Sequence, residues 1–158
     1  MERGFSWIEM LMVLAALGLL GLIAIPAMQD GALKRQVKDG ITLAAVAETA
    51  VQLAYTTGGG KFPADNKEAG LPDSDKIVGA VVKDVSVNAG AITITYGNNA
   101  SKALEGRKVT LRPAVVPDSP VVPIAWLCHD AGVPKNMEVA GKDDTDVPPK
   151  WLPVECRA

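Results

Sequence analysis

The sequence predicts an α+β fold in which a long N-terminal helix packs on a small antiparallel sheet of about four strands. Three observations predict it. The first 28 residues are almost entirely apolar, all but one of the eleven prolines lie after residue 60, and short segments of alternating hydrophobicity lie between residues 81 and 128. The apolar start is typical of a helix, and the alternation among prolines is typical of a loop-rich β region.

The predicted helix covers residues 5–55 in two halves. The half at 5–28 contains one charged residue, Glu9, and a helix of that length would span roughly 36 Å, enough for a bilayer core of about 30 Å. In the half at 29–56, apolar residues recur at helical spacing, so one stripe would face the rest of the chain. "TTGGG" at 56–60 would end the helix, and the stripe comprises Leu33, Val37, Ile41, Ala44, Val51 and Tyr55.

A carboxylate inside the apolar half costs on the order of 2–3 kcal/mol, so Glu9 requires a partner or a function. A secretory signal fits poorly, because the apolar run is too long and no small-x-small cleavage site follows it. A plain signal anchor remains an alternative, although an anchor would not need Glu9. Gly18, Gly21 and Pro26 all weaken this half of the helix, and Pro26 predicts a kink.

Residues 57–158 form the predicted head. Residues 61–79 have turn chemistry and little periodicity, which predicts an ordered loop. Four strands follow, and Asn88, Ala89 and Gly90 mark a hairpin turn between the first two. The predicted inward-facing residues are Val81, Val85 and Val87, then Ile92, Ile94 and Tyr96, then Val109 and Leu111, and finally Ile124, Trp126 and Cys128.

The charges and cysteines of the head restrict its functional class. From Thr57 onward, 12 Lys and Arg stand against 13 Asp and Glu, so no broad attraction to nucleic acid or to an anionic membrane is expected. On a domain that follows a membrane segment, Cys128 and Cys156 predict a disulfide formed outside the cytoplasm. Two unpaired buried thiols are the alternative.

No catalytic, metal or cofactor site is predicted. Cys128 and His129 are neighbours on a predicted strand, so their side chains would point to opposite faces. Two Cys and one His cannot supply four zinc ligands. The acidic run at 143–146 lacks the Gly and the terminal Glu of an EF-hand, which favours a solvated loop over calcium. The Asn99-Ala100-Ser101 sequon is interpreted as turn residues.

The motif "GFSWIEMLMVLAALGLLGLIAIP" resembles the N-terminal signature of type IV pilins. It has a short leader ending in Gly, then Phe, two residues, Ile-Glu, and an apolar run ending in Ala-Ile-Pro. "FPADNKEAGLP", "AITITYGNNASKALEGRKVTLRP" and "AWLC…PPKWLPVECR" resemble the loop, the central hairpin and the C-terminal disulfide-bounded region of the type IVa subclass. The similarity covers nearly the whole chain.

The resemblance implies how the N-terminus would be processed. The leader at 1–4, "MERG", would be removed by prepilin peptidase between Gly4 and Phe5 on the cytoplasmic face, and the new amine of Phe5 would be methylated. Glu9 would then compensate the Phe5 amine of a neighbouring subunit. This pairing would make the buried carboxylate tolerable and would fix the register between subunits.

The resemblance also implies roles for the other segments. The stretch from Gly18 to Pro26 would unwind in the assembled filament, and Cys128 and Cys156 would bound an exposed C-terminal region. The chain would be held in the inner membrane and then assembled by inner-membrane machinery into a pilus of identical subunits, without a cofactor. The pilus would serve adhesion, twitching motility or DNA uptake, with a host surface or DNA as its ligand.

Two other functions compete with that of a principal pilus subunit. A pseudopilin of type II secretion is one, although the major pseudopilins usually lack the cysteine pair. A minor pilin that binds DNA during competence is the other, and it would require a positive cluster formed by Arg107, Lys108 and Arg112.

Overall fold

The computed structural model describes residues 6–157, with the backbone alone for residues 21–28. The predicted α+β class is confirmed. The chain divides into two compact units, residues 1–32 and residues 33–158. The elements in chain order are helix α1 (Trp7–Thr57) and strands β1 (Val82–Asn88), β2 (Ala91–Tyr96), β3 (Lys108–Val115), β4 (Ala125–Cys128) and β5 (Glu138–Val139), with short 3₁₀ turns at Ser74–Lys76, Pro149–Trp151 and Val154–Cys156.

Helix α1 ends two residues later than predicted. The N–H of Gly58 still donates to the carbonyl of Ala54 at 2.8 Å, and only then do Gly59 and Gly60 adopt positive φ. The predicted start at Phe5 lies outside the described residues. Among the residues that the structure describes, no helix is both long enough and apolar enough to cross a membrane.

The predicted stripe of α1 packs in the core of the second unit. Leu33, Val37, Ala44 and Val51 are all buried in it, and Ile41 is partly buried against it. The stripe contacts one face of the sheet, which presents Val85, Ile92, Ile94, Tyr96, Val109 and Leu111 among others.

The sheet is antiparallel, with the order β1-β2-β3-β4, and β5 pairs with β3 beyond the end of β2. Four strands were predicted, and β5 is an addition. Ala89 and Gly90 form the first hairpin turn with φ values of 48° and 82°. Positive φ at both central residues is the geometry of a type I′ turn, which matches the twist of the flanking strands.

The predicted facing of β1 is wrong at its start. Val82, not Val81, is buried in the core with Val85. The register against β2 shifts between Val82 and Asp84. A bulge adds one residue to the strand, so two inward-facing positions come to lie three apart instead of two.

The loop at 61–79 is fixed to the sheet by one buried amide. Asn66 donates from Nδ2 to the carbonyls of Pro72 and Val85, and its Oδ1 accepts from the N–H of Val87. The side chain thereby satisfies backbone groups on the outer edge of β1, where none of the described strands pairs. The loop therefore covers an edge that would otherwise be open to other chains.

Candidate assembly surface

A continuous apolar surface forms the first candidate site. Every residue from 6 to 20 is exposed, including large apolar side chains that would be buried in an ordinary globular protein. An uncovered patch of this kind marks contact with a membrane or with other protein chains. The most exposed members are Trp7 at 77%, Met12 at 71%, Ile8 at 69% and Leu19 at 66%.

Glu9 caps the helix that carries this surface. Its Oε2 accepts a hydrogen bond of 2.9 Å from the backbone N–H of Ser6. Ser6 precedes the first helical residue, and Glu9 lies three positions after Ser6. This is one half of a capping box, in which an acidic N3 side chain satisfies an N–H that the helix leaves unpaired.

The other predicted assembly residues lie at or beyond the limit of the description. Gly4 and Phe5 are outside the described residues. The backbone of α1 is helical through both Gly18 and Pro26. A Cβ added at Gly18 would meet no atom within 4 Å, so nothing within the described chain requires glycine there.

A disulfide joins Cys128 at the end of β4 to Cys156 in the last 3₁₀ turn, as predicted. Both cysteines are buried, with 6% and 1% of their surface exposed. The two cysteines of the sequence both lie in the described part of the chain, and each is the partner of the other. The bridge encloses a segment of 28-residue separation, named here the disulfide loop (residues 128–156).

The disulfide loop covers two stretches of β3 that each lack a neighbouring strand on one side. On one side β2 pairs only as far as Leu111, and on the other β4 pairs only from Leu111 onward. Strand β5 covers the first gap through its pairing with Ala114 and Val115. In the second gap, the N–H of Asp146 donates to the carbonyl of Lys108 at 3.1 Å. Both unpaired stretches of the central strand are thus closed against other chains.

A polar cluster holds this loop over the outer face of the sheet. Nη2 of Arg112 donates to the carbonyl of His129 at 2.7 Å. Nδ1 of His129 lies 3.3 Å from Oδ2 of Asp143, and the N–H of Thr145 donates to Oδ1 of the same carboxylate at 2.9 Å. His129 itself lies beyond the end of β4 with φ of 49°, so the prediction that it continues the strand is wrong.

The environment of Asp143 lowers its pKa. Burial by itself acts to raise the pKa of this carboxyl, but hydrogen bonds from Thr145 and His129 lower it. The positive charge of Arg112 acts in the same direction, and the net pKa lies below its ordinary value of 3.8. The ionised form of Asp143 therefore stabilises the fold of the disulfide loop.

Asp143→Asn should lower the stability of the protein at neutral pH by about 1 kcal/mol, the typical net value of one hydrogen bond. Because the folded pKa lies below the unfolded one, this contribution is complete at a pH well above 3.8 and is lost as the pH falls through the folded pKa. Melting temperatures of both forms measured from pH 6 to pH 2.5 should converge at the acid end. Asp144→Asn, which removes only the exposed partner of Lys142, serves as the control and should follow the wild type.

A groove of about 530 Å³ runs between the end of α1 and β4. Glu48 and Gln52 line it from the helix, and Ile124 and Trp126 line it from the sheet side. Burial raises the pKa of Glu48. A partly desolvated carboxylate beside an indole ring is suited to contact a cationic side chain of another chain.

The three cations proposed for DNA do not form a free cluster. The guanidinium of Arg107 donates to the carbonyls of Ala103 and Asp146, and that of Arg112 donates to His129. Lys108 is exposed. Two of the three positive groups are thus used within the fold.

The acidic run has local partners as well. Asp146 accepts from the N–H of Lys108, Asp144 pairs with Lys142, and Asp143 belongs to the polar cluster. In the part of the chain that the structure describes, no three His, Cys, Asp or Glu side chains are grouped to hold a metal ion. Cys128 is a disulfide sulfur and not a thiol nucleophile.

Comparison with known proteins places these features in one family. The sequence model described as pilin, a bacterial filament protein, matches residues 34–157. The chain belongs to the type IV pilin family. The pilin is 34% identical over 164 residues to type IV major pilin protein PilE1 of Neisseria gonorrhoeae, an alignment that covers 99% of this chain and 88% of the relative.

Two further relatives extend the same comparison. The pilin is 30% identical to a fimbrial protein of Neisseria meningitidis, covering 99% of this chain and 95% of the relative. It is also 30% identical to fimbrial protein EcpC of Eikenella corrodens, covering 99% and 91%. The family recognised from the N-terminal motif and the cysteine-bounded end is therefore confirmed.

The sequence analysis missed three features of the structure, namely the capping box, the closure of β3 and the groove at Glu48. The capping box was readable, because Ser6-Trp7-Ile8-Glu9 has the S-x-x-E spacing. The closure of β3 by the disulfide loop had no local signal, since it depends on how far β2 and β4 extend. The groove at Glu48 brings together residues about 75 positions apart, which no short pattern reveals.

Proposed function

We propose that the pilin is the structural subunit of a type IV pilus and polymerises with identical copies into a surface filament. The observation that carries the proposal is the exposed apolar surface at residues 6–20 on a chain similar over its full length to major pilins. An apolar surface of this size needs lipid or other copies to cover it. The role needs neither a catalytic residue nor a cofactor. The filament would serve adhesion, twitching motility or DNA uptake.

Before assembly, the subunit is proposed to reside in the inner membrane. Prepilin peptidase would cut between Gly4 and Phe5 and methylate the Phe5 amine, and the assembly machinery of the inner membrane would then extract the subunit. Two features support this order. The helix begins at Trp7 with its cap at Ser6, so a cut before Phe5 leaves the capped helix intact. The disulfide fits a head that lies outside the cytoplasm.

In the filament, Glu9 is proposed to compensate the positive amine of Phe5 from a neighbouring subunit. In the single chain its carboxylate accepts the N–H of Ser6. A carboxylate can accept several hydrogen bonds, so the cap and an intermolecular pair are compatible. The opposite charge would remove the penalty of a buried carboxylate and select one axial register.

The function is tested on sheared surface filaments. We expect their main protein to have the mass of a chain that begins at methylated Phe5 and lacks two hydrogens for the Cys128–Cys156 bridge. A chain that remains in the membrane fraction with no surface filament would contradict the proposed role. In that case the first residue would separate a peptidase substrate from a plain anchor.

The role of Glu9 is tested by separating its charge from its hydrogen bond. Glu9→Gln keeps an oxygen that can accept the Ser6 N–H but removes the charge, whereas Glu9→Leu removes both. We expect both variants to reduce filament yield at least ten-fold while membrane insertion, measured by carbonate extraction, stays the same or improves. Ser6→Ala keeps the N–H and the charge and should assemble normally. Normal yield from Glu9→Gln would show that the cap alone matters.

A further inference from the structure

A second groove lies between α1 and the C-terminal turn of the disulfide loop. It encloses about 310 Å³, and residues 152–154 form an apolar floor. Four cations line it, and this set is named the basic groove: Lys34, Arg35 and Lys38 from α1, and Arg157 after the last turn.

The basic groove differs in charge from the rest of the chain. The whole chain has a net charge of −2, yet none of the described residues that line this groove is acidic. Lys34 and Lys38 form no salt bridge with any described residue. They lie one helical turn apart, where like charges destabilise a helix. An anion bound between them would remove that repulsion.

The groove also lies close in sequence to the apolar half of the helix. Lys34 follows Met28 by six positions, and even a fully extended chain of six residue steps spans only about 22 Å. If residues 5–28 occupy the bilayer, the basic groove must lie near the layer of lipid headgroups. Acyl chains and glycerol are suited to its apolar floor.

The position of these cations opposes the usual charge bias of membrane proteins. Lys and Arg near a membrane span normally favour the cytoplasmic side. Here Lys34, Arg35 and Lys38 follow the apolar run within ten residues, on the side of the disulfide-bonded head. Their presence on the outer side suggests that they bind something there.

We infer that the basic groove binds the phosphate of an anionic phospholipid at the outer face of the inner membrane before the subunit is assembled. The inference rests on the proposed membrane stage. A lipid fits better than DNA, because the groove is short, concave and apolar at its base, whereas a duplex presents long rows of phosphates to an exposed cationic face. The bound headgroup would hold the second unit near the membrane surface.

The test uses the full chain reconstituted in bilayers of phosphatidylcholine with phosphatidylglycerol as the anionic lipid. Spin-labelled forms of each lipid report the fraction immobilised by the protein. Each cation near an anionic surface contributes about a five-fold gain in affinity. We expect phosphatidylglycerol to be preferred at least ten-fold over phosphatidylcholine, and we expect Lys34→Gln/Lys38→Gln/Arg157→Gln to reduce the preference to near one.

A matched variant removes the same charge elsewhere. Lys67, Lys76 and Lys135 are all exposed and lie outside the basic groove, so the triple Gln variant at these positions should keep the preference. Equal loss in both triple variants would overturn the inference in favour of a general charge effect. Immobilised lipid without any preference in the wild type would overturn the inference and leave the membrane stage intact. No immobilised lipid of either kind would overturn both.

Two further arms identify the source of the phosphate. Glycerol 1-phosphate added at 10 mM should not displace the labelled phosphatidylglycerol, because it lacks the acyl chains that hold a lipid in the bilayer. Displacement would assign the groove to a soluble phosphate. Salt-sensitive binding of duplex DNA that the groove variant abolishes, together with no lipid preference, would assign it to nucleic acid.

Discussion

Cys128→Ala/Cys156→Ala is expected to lower the melting temperature of the pilin by about 10 °C. A cross-link of 28-residue separation contributes roughly 3–4 kcal/mol in the chain-entropy model. For a chain of this length, each kcal/mol corresponds to about 2–4 °C. Circular dichroism of the full chain in detergent measures the change. A shift below 2 °C would contradict the expectation.

The same variant should aggregate well below its melting temperature. Without the bridge, the disulfide loop is held only by non-covalent contacts, which include its hydrogen bonds to β3 and the burial of Val147 and Leu152 in the core. Its release uncovers the stretches of β3 that lack a neighbouring strand on one side, at Lys108 and at Ala114–Val115. Unpaired strand edges recruit other chains. Thioflavin fluorescence and light scattering at 25 °C would record the β-rich aggregates.

Reduction of the wild type separates the cross-link from the packing of the cysteines. Wild-type protein that is reduced but not alkylated keeps both sulfur atoms and loses the bond between them. It should therefore lose as much stability as the double variant. If the wild type keeps its melting temperature after complete reduction, the lower melting temperature of the double variant comes from the small cavities that alanine leaves.

Patterns with a regular period predicted their elements well. The stripe of α1 was predicted because apolar residues recur every three to four positions over more than five turns, and burial of Val37 and Val51 confirms it. The strands were predicted by alternation. The disulfide followed from two cysteines on a chain whose apolar start favours export. The helix and the strands are predicted from local patterns, and two cysteines allow only one pairing.

Features that depend on distant partners could not be predicted. Strand β5 has two residues, too few to show a period, and it pairs with the part of β3 that lies beyond the last contact with β2 at Leu111. Asn66 looked like a turn residue, and its bonds to β1 need the folded loop. The bulge after Val82 shifts the first inward-facing residue of β1 from position 81 to position 82, and the composition of the strand gives no sign of it.

Strand β3 shows why a local rule can fail. Proline cannot donate to a ladder, so a proline normally ends or interrupts strand pairing, yet β3 continues through Pro113 to Val115. The carbonyl of Pro113 accepts from the N–H of Ala140, next to β5, and the two polar groups of one residue point to the same side of a strand. The nitrogen of Pro113, which carries no hydrogen, therefore lies on the β5 side of β3 and not on the β4 side. Pairing with β4 continues through Pro113 and Ala114.

Gly40→Ala is expected to destabilise the pilin, although alanine is the better helix former. A Cβ at Gly40 would lie 2.6 Å from both Cε1 and the hydroxyl oxygen of Tyr96. Tyr96 is fully buried, and its hydroxyl donates to the carbonyl of Val37 at 2.7 Å. The glycine therefore provides the space that lets the ring contact the helix backbone.

The opposing effects on Gly40→Ala can be compared in size. Helix propensity favours alanine by about 1 kcal/mol. Overpacking costs about 1–3 kcal/mol, and displacing the Tyr96 hydroxyl leaves a buried donor unsatisfied for a further 1–3 kcal/mol. The net loss should be about 1–5 kcal/mol, visible as a lower melting temperature.

Gly31→Ala supplies the matched control within the same helix. A Cβ at Gly31 meets no atom of the described residues within 4 Å. The substitution therefore gains helix propensity without a clash with them, and it should leave stability unchanged or raise it by up to about 1 kcal/mol. Tyr96→Phe combined with Gly40→Ala should not restore stability, because Cε1 of the ring would still lie at 2.6 Å. Equal behaviour of Gly31→Ala and Gly40→Ala would show that Tyr96 can move away from α1, and that glycine at position 40 only weakens the helix.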